Sequence, residues 1–89
     1  MELGTIVTTR GIADCAEESS TFKAELNSIF VRYMRGDWGD VCQEDWVQND
    51  FAVTAGERVL ASYNTSAGKV WIITEWDRSV TTFLFPSEY

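Results

Sequence analysis

Arg58-Val59-Leu60-Ala61-Ser62-Tyr63, then Lys69-Val70-Trp71-Ile72-Ile73-Thr74-Glu75, then Val80-Thr81-Thr82-Phe83-Leu84-Phe85 is the stretch whose reading decides the fold. Three runs rich in β-branched and aromatic residues, separated by Asn64–Gly68 and by Trp76–Ser79, predict an antiparallel β-meander. Along the middle run Val70, Ile72 and Thr74 share one face, and Trp71, Ile73 and Glu75 share the other. Apolar residues on both faces place that strand at the centre of the sheet. Pro86 stops the last run. The apolar face of such a sheet requires a cover, and the N-terminal half supplies it.

Upstream of the meander, the spacing of Phe22, Leu26, Ile29, Phe30, Tyr33 and Met34 predicts one continuous apolar stripe on a helix. Ser20 or Thr21 is its expected N-cap, Arg32 and Arg35 suit its last turns, and Gly36 ends it. Its Phe22, Leu26, Ile29 and Phe30 are expected to pack on Leu60, Ile72 and Ile73 or Trp71. A shorter helix is expected over Ile12–Glu18, with Ile12, Cys15 and Ala16 on one face. A third follows Asp40, whose spacing to Gln43 is that of a capping box. Cys42, Trp46, Asn49 and Val53 share a face of it, Phe51 lies off that stripe, and Gly56 stops it. Leu3–Thr9 is β-prone and offers a fourth strand, which Arg10-Gly11 should break. The expected fold is therefore α+β. A three- to four-stranded antiparallel meander is packed by two or three N-terminal helices, in the order β-α-α-α-β-β-β, with residues 1–89 as one domain.

The chain has 89 residues, 14 acidic and 7 basic, for a net charge of −7. That balance disfavours direct nucleic-acid binding, which needs Lys and Arg against phosphate, and favours a protein partner with a basic surface. A domain this small gains stability from pairing, so a homodimer is a further expectation. Cys15 and Cys42 are read as two buried, reduced thiols, in keeping with a cytoplasmic setting. No apolar run approaches the ~20 residues of a membrane span, and Met-Glu-Leu-Gly lacks the features of a signal peptide.

No His is present, which removes Ser-His and Cys-His nucleophiles and His metal sites. No cofactor motif is present either. Two constellations remain. Asp37, Asp40, Glu44 and Asp45 cluster around a helix start, where capping and solvation are the favoured explanation and a surface that imitates nucleic-acid phosphates or docks a basic groove is the alternative. A divalent-ion site there is a weaker option, because the spacing does not match an EF-hand loop. Glu75, Asp77 and Arg78 surround the second turn; turn chemistry accounts for them, and a recognition loop built on Trp76 is the sharper alternative. Both Trp38 and Trp76 sit in turns and are the tryptophans expected to be partly exposed, as interface anchors or, the slightly favoured reading, packed over a sheet edge. The binding set expected from the sequence is Asp37, Trp38, Asp40, Glu44, Asp45, Glu75, Trp76 and Asp77, the first five lying together at one end.

Gly36-Asp37-Trp38-Gly39-Asp40, Arg58 to Tyr63, Trp71 to Thr82 and Pro86-Ser87-Glu88-Tyr89 resemble a family of small plasmid- and phage-associated proteins, usually labelled plasmid-related. The resemblance covers nearly the whole chain from Leu3, and Trp71 to Thr82 is its most specific part. Arg10-Gly11 departs from it, standing where a Pro-Gly helix start is common. What the resemblance implies is a mobile genetic element, with no catalytic motif to carry over. The leading expectation is a non-enzymatic acidic binding protein, a counter-defence inhibitor of a CRISPR or restriction complex. The alternatives are a small ribonuclease-toxin-like enzyme using Arg10, Arg58 and Arg78 on phosphate, and a homodimeric regulatory subunit working through its apolar sheet face.

Overall fold

A computed structural model describes residues 1–89. Its elements run β1 (Thr5–Thr8), α1 (Arg10–Glu18), α2 (Ser20–Met34), α3 (Gln43–Ala55), β2 (Val59–Thr65), β3 (Gly68–Thr74), β4 (Val80–Leu84) and a closing 3₁₀ turn, Pro86–Glu88. The last three strands form the antiparallel meander, with β3 between its neighbours. The fourth strand joins in parallel: Thr5–Thr8 lies beside Val80–Phe83, giving the sheet order β1-β4-β3-β2. The sheet is therefore mixed, in a single α+β domain.

The alternation along each strand sorts the two faces. Val59, Ala61, Tyr63, Val70, Ile72 and Phe83 meet Ile12, Phe22, Ile29 and Tyr33 from the helices in one buried cluster. Leu60, Trp71, Ile73 and Leu84 occupy the opposite face. They are not the floor on which the helices sit, because each is one residue out of phase with the strand positions in that cluster. The closing turn brings Tyr89 over Trp71 there, with ring centroids 5.6 Å apart.

Helix boundaries follow from local caps and, at the start of α1, from a contact with the far end of the chain. β1 ends before Arg10-Gly11 as expected, but these two residues already form the first turn of α1, which starts two residues ahead of Ile12. Thr9 caps that turn by accepting from the Ile12 N–H, and the Glu88 carboxylate accepts from the Gly11 N–H and the Thr9 hydroxyl. Ser19 ends α1 by donating its N–H to Cys15, and its hydroxyl accepts from the Phe22 N–H, so the cap of α2 is Ser19 rather than Ser20 or Thr21. On α2, Phe22, Ile29 and Tyr33 are buried and Leu26 and Phe30 half-buried, but Met34 is exposed. At roughly 100° per residue, Met34 falls about 120° from Phe22, outside the face that reaches the sheet. The Asp40–Gln43 capping box does not form. Cys42 is the N-cap of α3, without a side-chain bond, and Asp40 turns to Lys69 and Asn64 instead.

One buried hydroxyl chain crosses the core. Thr81 donates to the Leu3 carbonyl at 2.7 Å, so it accepts from Thr74 at 2.8 Å. Thr74 has then spent its one proton and accepts from Tyr33 at 2.6 Å. Tyr33 must stay protonated to close this chain, and burial pushes its pKa up to about 12. Burial also raises Tyr63, with the Asp37 charge adding to the effect. A folded-state pKa above the unfolded value of ~10 stabilises fully below pH ~10 and progressively less above it. Stability measured by urea unfolding is expected to fall between pH 10 and about 12, and Tyr33→Phe is expected to flatten that fall.

Candidate binding surface

The Gly36–Asp40 turn begins where α2 ends. The Gly36 N–H bonds to Tyr33 and the Asp37 N–H to Arg32, with Gly36 at φ 79°, which closes the helix in a Schellman arrangement. Asp37 is then gripped by Arg32 through two bonds of 2.8 and 3.2 Å and accepts from the Gly39 N–H at 3.0 Å. The bond from Arg32 holds the Asp37 carboxyl below the usual range. Between them Trp38 turns inward. It is only 2% exposed, which rules out the partly exposed anchor and agrees with the alternative that it packs over a sheet edge. It packs edge-on against Tyr33 at 5.4 Å and donates its indole N–H to Asp50 at 2.9 Å.

This turn closes the outer edge of β2. Ser62 donates to Trp38 and accepts from the Asp40 N–H, while the Asn49 amide accepts from the Leu60 N–H and donates to its carbonyl. Strand edges left open recruit other strands, so this covering has a structural purpose. Asp37, Trp38 and Asp40 are thus parts of an edge clasp, and Asp40 is further engaged by Lys69. Glu44 and Asp45 stay exposed in the first turn of α3.

The other expected residues lie at the far end of the β2–β3 hairpin. Asp40 sits beside Asn64 and Lys69, near the hairpin loop, whereas Glu75, Trp76 and Asp77 follow Thr74, which pairs with Val59 at the opposite end. The eight residues therefore do not form one site. Glu75 pairs with Arg58 at 3.7 Å, and Asp77 accepts from the Ser79 N–H and hydroxyl, which lower its pKa. Arg78, at φ 61°, reaches across the turn: its guanidinium donates to the carbonyls of Ala52 and Glu57 at 2.7 Å and to Glu75 at 3.2 Å. It thereby adds a charged bond to the Ala52 carbonyl, which already accepts from the Gly56 and Glu57 N–H groups, and fixes the Trp76 turn against the C-terminal end of α3. Trp76 itself projects, 67% exposed, from a turn whose other side chains are engaged.

Two exposed apolar residues outside the expected set lie on α3, the helix to which Arg78 ties the Trp76 turn. Val47 and Phe51, one helical turn apart on α3, are 59% and 56% exposed. Asn49 and Ala52 define the buried side of α3, and Val47 and Phe51 face away from it. The stripe of Trp46, Asn49 and Val53 already fixes the inward side, so the outward direction of this pair is implicit in the spacing. Glu44 sits one turn before Val47 on the same side. On the inward side, a cleft of about 530 Å³ opens among Leu3, Met34, Arg35, Trp38, Asp50 and Val53.

Chemistry-bearing groups do not converge. Arg58 is held by Glu75 and the Tyr89 ring, Arg78 by backbone carbonyls, and Arg10 is an exposed residue 3.8 Å from Asp14. No three acidic or thiol side chains come together in a way that could hold a metal ion. Both cysteines are free; Cys15 is half-buried but Cys42 is exposed, because it caps α3 at the surface rather than packing on its inner face. No helix is long and apolar enough to cross a membrane. Compared with known protein families, curated proteins and solved structures, the chain gives no significant match.

Proposed function

We propose that this chain is a non-enzymatic binding protein that docks a basic, partly apolar protein surface through the outward side of α3 and the Trp76 turn. The observation that carries the reading is the exposure of Val47, Phe51 and Trp76, each more than half exposed, on two elements locked together by Arg78. Glu44 precedes Val47 by one turn of α3, and Glu75 and Asp77 flank Trp76 in sequence, so each anchor has a carboxylate beside it. An aromatic and aliphatic centre with a charged rim is the usual make-up of an interface whose energy sits in a few side chains. The rigidity of the turn limits the entropy lost on docking. The resemblance to plasmid- and phage-associated proteins supports the setting of a mobile element, where the partner is a CRISPR or restriction complex and the activity is inhibition by contact.

The test pairs affinity purification from the host with surface variants. Val47→Ser with Phe51→Ser, and Trp76→Ser separately, are expected to change stability by no more than about 0.5 kcal/mol. Each should weaken the recovered partner by at least ~30-fold, the size of a hot-spot loss of ~2 kcal/mol. Asn or Gln at Glu44, Glu75 and Asp77 should flatten the salt dependence of association. Unchanged affinity in the serine variants would mean that this surface is not the interface.

A further inference from the structure

The two edges of the sheet are finished differently. The outer edge of β2 is bonded by Asn49, Trp38 and Asp40, whereas β1, the other edge, has no such covering. Thr5 and Thr9 donate their N–H groups inward to Ser79 and Phe83. Strand alternation therefore turns the N–H and C=O groups of Ile6 and Thr8 outward. Every residue of β1 is exposed. The helices pack over β4 and β2, and beside β1 they leave a shallow groove of about 200 Å³ lined by Ile6, Thr8, Leu26, Asn27, Phe30 and Phe83. The stretch Thr5–Thr9 contains neither a charge nor a proline to blunt the edge.

We propose that β1 is a self-association edge: a second copy of this chain pairs its own β1 antiparallel to it, joining the two sheets into one about a two-fold axis at Val7. Two observations select a second copy as the occupant. First, the chain carries a net charge of −7, yet neither Thr5–Thr9 nor the groove beside it has an ionisable side chain. Two copies meet at this seam without like charges in contact, whereas a basic partner would find its complement elsewhere on the molecule. Second, the hydrogen-bonding pattern is self-complementary. Setting Ile6 opposite Thr8 of the second copy, and Thr8 opposite its Ile6, uses every outward backbone group of both residues. That register places Val7 against its own counterpart in the close, non-hydrogen-bonded position. Each copy offers the same patch to the other, as a closed two-fold dimer requires. The seam is short, so the dimer is reversible and concentration-dependent.

Light scattering on the full chain from micromolar to millimolar concentration is expected to show the mass rising from one chain to two. Thr8→Pro removes an N–H that has no partner within the chain, and should hold the mass at one chain with unchanged circular dichroism. In a Cys15→Ser, Cys42→Ser background, Val7→Cys should oxidise readily to a covalent dimer, because close antiparallel pairs hold their Cβ atoms about 4.5–5.5 Å apart. Thr5→Cys, which faces Thr9 of the second copy in this register, should cross-link far more slowly. Cross-linking decides the matter if Thr8→Pro folds poorly or shifts the equilibrium only in part. A single-chain mass up to millimolar concentration, or Val7→Cys cross-linking no faster than Thr5→Cys, would overturn the proposal.

Discussion

Trp38→Ala is expected to lower the unfolding free energy by about 3–5 kcal/mol, the range for truncating a large buried aromatic. A domain of this size has a total stability of about 5–10 kcal/mol, so the variant will be largely unfolded at modest urea concentrations. Three losses combine. The side chain is 2% exposed, so its removal leaves a cavity beside Tyr33. Asp50 loses the indole N–H that ties α3 to the turn. The Trp38 carbonyl, which accepts from the Ser62 N–H, loses the packing that positions it. Trp76→Ala is the internal comparison: Trp76 is 67% exposed and its removal should leave stability within about 0.5 kcal/mol. Urea midpoints for the two variants, followed by circular dichroism, separate them. Equal midpoints would mean that Trp38 does not hold the turn to the core.

The contrast between these tryptophans shows which parts of the structure are legible in the residues. The meander is legible because strand periodicity is local: alternating β-branched and aromatic residues on both faces of β3 require neighbours on both sides. The helices are legible for the same reason, and the outward position of Phe51 follows once Trp46, Asn49 and Val53 set the inner face. Trp38 is not legible, because its direction depends on partners far along the chain. Gly39 presses on Ser62, the Trp38 carbonyl accepts from the Ser62 N–H, and Asp50 takes the indole N–H. A turn rich in Gly and Asp reads as surface until those contacts are known. The start of α1 has the same character: Gly11 enters the helix because Glu88, from the other end of the chain, accepts its N–H. The parallel seating of β1 likewise depends on Ser79 and Phe83, which no nearby residue announces. The acidic cluster divides by partner. Asp37 and Asp40, which have cationic partners in Arg32 five residues back and in Lys69 on β3, are tied into the turn, while Glu44 and Asp45 have none.

Gly39→Ala is expected to cost about 3–5 kcal/mol, more than its size suggests, because the position combines a strained backbone with close approach to another strand. Gly39 has φ +77°, and a Cβ there would sit 2.1 Å from the Ser62 carbonyl oxygen and 2.6 Å from the Tyr63 ring. The nearest obstacle is backbone of an interior-facing hairpin, so the turn must retreat rather than the neighbour move aside. Retreat breaks the Asp40 N–H bond to Ser62 and the Ser62 N–H bond to Trp38, leaving polar groups at the β2 edge without partners at ~1–3 kcal/mol each. Gly36→Ala isolates the conformational part: it has nearly the same φ, +79°, but nothing lies within 4 Å of its Cβ position. That variant should lose only about 1–2 kcal/mol, the cost of a left-handed conformation in a residue bearing a Cβ. The difference between the two urea midpoints therefore measures the clasp on β2. The same change has a second readout. With Leu60 still held by Asn49 but Ser62 released, part of the β2 edge becomes a template for other strands. Gly39→Ala should accordingly aggregate on heating below the temperature at which Gly36→Ala does. Equal losses in the two alanine variants, with no difference in aggregation, would show that the turn does not seal the edge.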